Sequence, residues 1–238
     1  METSISKSTP EALKVGMLCY PGMTMLDLTG PQAVLGFHSE TYLFWKTLDP
    51  VATDSGLPIN PSHTFEDVPA ELDVLFVPGG YTATAMMGDD EVIEFLSKAG
   101  ETATYVTSVC SGALLLGMAG LLDGYRAATH WAVYDILEAL GVEADLAPVV
   151  HDRNRMTGGG VTAGIDFGLT LLAELRGEMV AKMTQLAMEY DPAQPFDTGH
   201  PDKAGPELVA MIKQGMGDSL NKAGIETAKN KRGVQAPA

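Results

Sequence analysis

The stretch that most restricts the fold is Thr104-Tyr-Val-Thr-Ser-Val-Cys-Ser-Gly-Ala-Leu-Leu-Leu-Gly-Met-Ala-Gly120. Thr104 to Val109 is β-branched and aromatic, as suits a short buried strand. Ser111 to Met118 is small and aliphatic, and its Ala and Leu residues favour helix. A strand that turns abruptly into a helix lifts the junction side chain, here Cys110, clear of the sheet, in the manner of a nucleophile elbow. Gly112 supplies the small residue such a turn needs. The dipole at a helix N-terminus favours thiolate over thiol, which makes Cys110 a candidate nucleophile. The competing reading is a free cysteine buried and inert in an apolar core.

The surrounding segments repeat the strand-helix alternation. Leu13 to Tyr20 reads as the first strand, Thr41 to Lys46 as the second, and Glu71 to Val77 as the clearest of all. The apolar run Val74 to Val77 suits a strand covered on both faces. Short strand-like pieces lie around Val51 and Leu57, from Arg126 to Thr129, and twice between Val142 and Val150. Helices are expected over Pro31–Gly36, Asp89–Lys98, Thr129–Leu140, Thr162–Leu175 and Glu178–Tyr190, with a weak amphipathic segment at Glu207–Leu220. Residues 1–13 and the polar, basic end from Asn221 read as loosely held. The pattern predicts a three-layer α/β/α sandwich with a mostly parallel sheet, flavodoxin-like in order. Its main domain spans residues 14–202, and a C-terminal helical segment and tail spans 203–238.

Ligands of open α/β sheets bind beyond the C-terminal ends of the strands. Two further features fall there. Asp27 lies in the loop Pro21–Pro31 that leaves the first strand, either as an acid facing a ligand or as a helix cap. Pro78-Gly79-Gly80 ends the clearest strand, and its glycines would let backbone N–H groups approach a ligand closely, or simply make a turn.

Composition narrows the functions available. The chain has 238 residues and a formal charge of −16, the reverse of the basic footprint that nucleic acid requires. The same acidity disfavours strongly anionic substrates. No apolar run reaches the roughly 18 residues of a membrane span, and the N-terminus lacks the apolar core of a signal peptide, so a cytoplasmic protein is expected. Cys19 and Cys110 are the two cysteines. Cys19 sits in the first strand and reads as core. With no Cys-x-x-Cys or His-x-x-x-His pair, no structural zinc site is expected.

Four motifs occur in a recognisable order: Leu-Asp-Leu-Thr-Gly-Pro after the first strand, Val-Pro-Gly-Gly, Thr-Ser-Val-Cys-Ser-Gly, and Ala-Ala-Thr-His-Trp. In this the chain resembles the ThiJ/PfpI family of the class I glutamine-amidotransferase-like superfamily, from about Lys14 to Asp202. Within the family it is most similar to the branch of lyases that hydrate isocyanides (isonitriles) to N-substituted formamides. The resemblance implies Cys110 as nucleophile, Asp27 as its acid/base partner, and an anion-stabilising pocket at Gly79, Gly80 and Ser111. It implies a small-molecule isocyanide as substrate, no metal or organic cofactor, and a homodimer, with the helix after Gly160 either at its interface or simply covering the sheet. Close relatives often carry Thr where this chain has Ser111. Other branches place a His near the thiol at about the position of His130, which here reads as either a helix-start cap or a secondary site residue. Two alternatives stay open: a glyoxalase-like activity, and a ligand- or redox-sensing binding protein. Regulators of the family carry a C-terminal DNA-binding domain, for which the segment after Asp202 is too short.

Overall fold

A computed structural model describes residues 11–216 and 218–232. Its centre is a seven-stranded sheet of β1 (Leu13–Leu18), β2 (Ser39–Trp45), β3 (His63–Thr64), β4 (Val74–Val77), β5 (Tyr105–Val109), β6 (Val149–Asp152) and β7 (Arg155–Gly158). The spatial order is β6-β7-β5-β4-β1-β2-β3. All neighbours run parallel except the hairpin β6–β7 at one edge. β4 is buried at every position between β1 and β5, as its unbroken apolar run predicts.

The main helices are α1 (Met25–Leu35), α2 (Asp90–Thr102), α3 (Gly112–Met118), α4 (Tyr134–Ala139), α5 (Ala163–Arg176), α6 (Glu178–Ala187), α7 (Pro206–Met216) and α8 (Asp218–Arg232). α1, α5 and α6 pack together, as do α2, α3 and α4, so the sheet lies between two helical layers. This is the expected α/β/α architecture with a mostly parallel sheet. On the α1–α5 side, Gly164 and Gly168 let α5 approach Pro31 and Val34. Phe167 on α5 reaches Phe76 of β4, with ring centroids 5.6 Å apart. The buried face of α5 therefore covers the sheet. On the other side every residue of α3 is buried. No helix among the described residues is long and apolar enough to cross a membrane.

Two expectations need correction, and one strand has no expectation attached to it. The first helix begins at Met25, not Pro31, so Asp27 lies in its first turn rather than in a loop. Pro31 sits inside the helix, where it withholds the N–H that would bond the carbonyl of Asp27. The helix still starts early because its N-terminus is tied from a distance. Thr24 occupies the N-cap without a side-chain bond, while Asp54, from the turn between Val51–Ala52 and Pro58–Ile59, accepts from Met25 N–H at 3.1 Å.

The strand without an expectation is β7. Its residues Arg155–Gly158 end in a glycine run that hides a strand, yet they pair in register with Val106–Val109 of β5. The second correction concerns the end of the chain. The segment from Asn221 is helical to Arg232 and is docked on the body, with Ala228 fully buried and Asn221 Nδ2 donating to the carbonyl of Ala132 at 3.0 Å. Its few apolar residues gave little periodicity. The contact instead uses Gly224, which lets the helix close on Ile136. The tail beyond Arg232 and the first ten residues lie outside the described residues.

Candidate active site

Cys110 stands at the junction of β5 and α3 with φ 55°, a left-handed conformation rare for a residue with a side chain. The strain is held from several sides. Cys110 N–H donates to the carbonyls of Gly158 and Gly159 at 3.1 and 2.7 Å, and its carbonyl accepts from Thr129 Oγ1 at 2.9 Å. Gly112 is obligatory for a steric reason: a Cβ there would lie 2.2 Å from the carbonyl oxygen of Val77. The strand-to-helix turn predicted from residues 104–120 is therefore the observed one.

Asp27 arrives from α1, and its side chain is wholly buried. A Cβ built on Gly79 would meet Ser111 N at 2.5 Å, Cys110 Cβ at 2.7 Å and Asp27 Oδ2 at 2.8 Å. The acid, the cysteine and the start of α3 thus converge on this one glycine. Gly79 N–H donates to Asp27 Oδ2 at 3.0 Å. Asp27 Oδ1 is buried with no hydrogen-bond partner among the described residues. Burial pushes the Asp27 carboxyl up to about 7, against the opposing influence of the Cys110 thiol and Gly79 N–H; the nearby Asp54 charge raises it further.

The thiol differs from the expectation. Although the N–H groups of Ser111 and Val161 favour the thiolate, burial and the Asp27 charge push the Cys110 thiol above its ordinary range. The dipole of the short helix α3 does not outweigh the loss of water around the sulfur beside a carboxylate. The pair therefore rests as a thiol beside a carboxyl group that ionises around pH 7, not as a preformed thiolate.

The three residues expected to make an anion pocket are all here, with their donors already engaged. Gly79 N–H serves Asp27. Gly80 N–H donates to Ser111 Oγ at 2.9 Å, and that hydroxyl donates back to the Gly80 carbonyl at 3.1 Å. Ser111 N–H and Val161 N–H point at the sulfur. The hydroxyl common to Ser and Thr at this position is thus the group that ties α3 to the Gly79–Gly80 turn.

Cys110 is 6% exposed, and that exposure opens on a cleft of about 830 Å³ lined also by Gly80, Ser111 and His130. His130 satisfies both of its sequence readings. Its side chain caps the turn Trp131–Val133 by accepting from Ala132 N–H at 3.3 Å through Nδ1, and the residue also lines the cleft. Burial lowers its pKa, so the ring is neutral with its proton on Nε2. Cys19 is fully buried in the core, its thiol pushed up to about 12 by desolvation.

Sequence reasoning missed Asp54, Tyr20 and Val161. Tyr20 is buried behind the site, and its hydroxyl donates to the carbonyl of Pro78 at 3.1 Å, which fixes the turn that carries Gly79. Asp54 stands in a Pro-, Gly- and Asp-rich stretch with no periodicity to single it out. None of the three bears a local signal of its role.

The chain and its fold are similar to those of known proteins. The chain is 47% identical to the isonitrile hydratase of Pseudomonas putida over 211 residues, 88% of this chain and 92% of that protein. Its fold is similar to a ThiJ/PfpI family protein from Pseudomonas syringae, with TM-score 0.87, 44% identity and coverage of 92% and 91% of the two chains. DJ-1 of Schizosaccharomyces pombe, at 18% identity, shares the fold with TM-score 0.66 over 76% of this chain and all of its own. The match to the family spans residues 13–174, from the first strand of the sheet through Asp27 and the strained elbow cysteine to α5, and by it this chain belongs to the DJ-1/PfpI family.

Proposed function

We propose that this protein hydrates isocyanides to N-substituted formamides, with Cys110 as nucleophile and Asp27 as its proton partner. The observation that carries the reading is a wholly buried carboxyl group set beside the elbow thiol at the end of a cleft. The likeness to the Pseudomonas putida isonitrile hydratase supports the choice of substrate.

An isocyanide, R–N≡C, reacts at its terminal carbon, which must gain both a nucleophile and a proton. The Cys110–Asp27 pair holds both. The thiol proton passes to the Asp27 carboxylate as sulfur attacks, and the new carboxylic acid delivers it to the same carbon. The product is a thioimidate, R–N=CH–S–Cys110. The N–H groups of Ser111 and Val161 stabilise the sulfur's negative charge as it develops. Asp27, again a carboxylate, takes a proton from water as the oxygen adds to the thioimidate carbon, and nitrogen is protonated. Collapse expels the sulfur, which recovers its proton, and R–NH–CHO leaves. One water is consumed and the pair returns to its starting state. General acid/base help of this kind is worth about 10²–10⁴ in rate.

The test is formamide formation from a simple aliphatic isocyanide, with methylglyoxal run beside it. The wild type should produce the formamide, and Cys110→Ala should produce none. Undiminished turnover by Cys110→Ala would exclude the covalent route, and turnover of methylglyoxal alone would replace hydration with a glyoxalase-like reaction. A homodimer belongs to the same reading. The exposed side chains Phe37, Met179, Met183 and Leu186 support it, and light scattering should return twice the chain mass.

A further inference from the structure

We infer that α7 is the specificity wall of the site, and that it selects isocyanides whose N-substituent is a bulky hydrocarbon. This rests on the hydration reading above.

The reacting C≡N group needs little room; even a water molecule occupies only about 30 Å³. The cleft of about 830 Å³ is in the range of sites that hold much larger ligands. Most of it must therefore face the part of the substrate that does not react. Much of the cleft lining is apolar, although Thr198, His200 and Lys213 also line it. Leu208, Met211 and Ile212 recur at i, i+3 and i+4 and form one stripe of α7. Such a stripe ordinarily meets a core. Here the three residues line the cleft and are 45%, 60% and 49% exposed. The cleft is lined also by Leu114, Trp131 and Val133. These apolar residues share one cavity with the Cys110 thiol.

The wall is also held in place. α8 comes next in the chain after α7 and is docked by Asn221 on the carbonyl of Ala132, by the Gly224–Ile136 contact and by the buried Ala228. All of α7 and α8 lies beyond residue 174, where the family match ends. The family's shared sheet thus supplies the nucleophile and its proton partner, and an added C-terminal segment supplies the surface against which a substituent packs. A hydrocarbon group is the chemistry that surface takes, because apolar area to remove from water is what the α7 stripe offers.

The experiment compares kcat/KM for benzyl isocyanide with that for methyl isocyanide. In the wild type the ratio should favour the benzyl compound. In Leu208→Ala/Ile212→Ala that ratio should fall about tenfold, the range expected when a few methylenes leave an apolar site. Ile212→Asp, which sets a charge in the wall, should lower it further. These side chains are exposed, so neither variant should unfold the protein, and circular dichroism checks this. A ratio unmoved within twofold in both variants, or equal losses on both substrates, overturns the wall while leaving hydration standing. If the wild type hydrates neither isocyanide, both readings fall together.

Discussion

Asp54 Oδ1 accepts a hydrogen bond from the backbone N–H of Met25 at 3.1 Å, and so a distant turn caps the helix that carries Asp27. The same carboxylate adds its negative charge to the surroundings of Asp27 and raises its pKa. One side chain thus helps position the buried acid and adds to the proton affinity that burial chiefly sets.

The two roles separate by mutation. Asp54→Asn keeps an acceptor for Met25 and removes the charge, so the acid limb of the pH–rate profile should move to lower pH with little change in stability. Asp54→Ala should move it likewise and also destabilise the protein by about 0.5–2 kcal/mol, the usual worth of a lost cap. Identical profiles in wild type and Asp54→Asn would remove Asp54 from any electrostatic role.

Asp27 itself predicts a pH dependence. Its carboxyl is raised to about 7 in the folded protein, against an ordinary value of 3.8. The folded state therefore binds the extra proton between those two values, and folding stability falls as pH rises through that window. Above about pH 8 the full penalty applies, at most about 4 kcal/mol for a shift of this size. In Asp27→Asn that slope should disappear, so the variant gains on the wild type from pH 4 to 7 while losing about 10²–10⁴ in rate. Urea denaturation across the range measures the first, and formamide release the second. Parallel stability curves for the two proteins would show that the carboxyl is not held protonated by the fold.

The wild-type rate should rise with pH through about 7, because attack on the isocyanide needs Asp27 free to take the thiol proton. A rate that falls across the same interval would reverse the assignment of the two proton positions.

Ser111 Oγ bridges the N–H and carbonyl of Gly80. Ser111→Ala leaves that N–H without its partner and should cost about 1–3 kcal/mol. Ser111→Thr keeps the hydroxyl and should recover most of the loss. Chemical denaturation of the three proteins decides this, and equal stability of all three would show that the bridge contributes nothing.

The two cysteines should differ in reactivity. Cys110 faces the cleft, whereas Cys19 is enclosed in the core with its thiol near 12. Iodoacetamide should label Cys110 first, faster as pH rises because its thiol is also raised. Peptide mass spectrometry reads the site directly, and labelling of Cys19 first would contradict the packing of β1.

By itself the sequence determined the alternation of strands and helices, the elbow at Cys110 and the glycines around it. These are local properties: β-branched runs, helix-forming runs, and turns that only small residues can make. It also marked Asp27, but as a loop residue, because Pro31 reads locally as the start of a helix. Tertiary structure decided what local chemistry could not. Asp54 starts α1 six residues before Pro31, β7 becomes a strand by pairing with β5 and β6, and the polar end of the chain becomes a docked helix through Gly224 and Asn221. The proton affinities of Asp27 and Cys110 belong to the same class. They follow from burial and from neighbours far away in the chain, and a pattern along the backbone carries no record of how much water a folded site excludes.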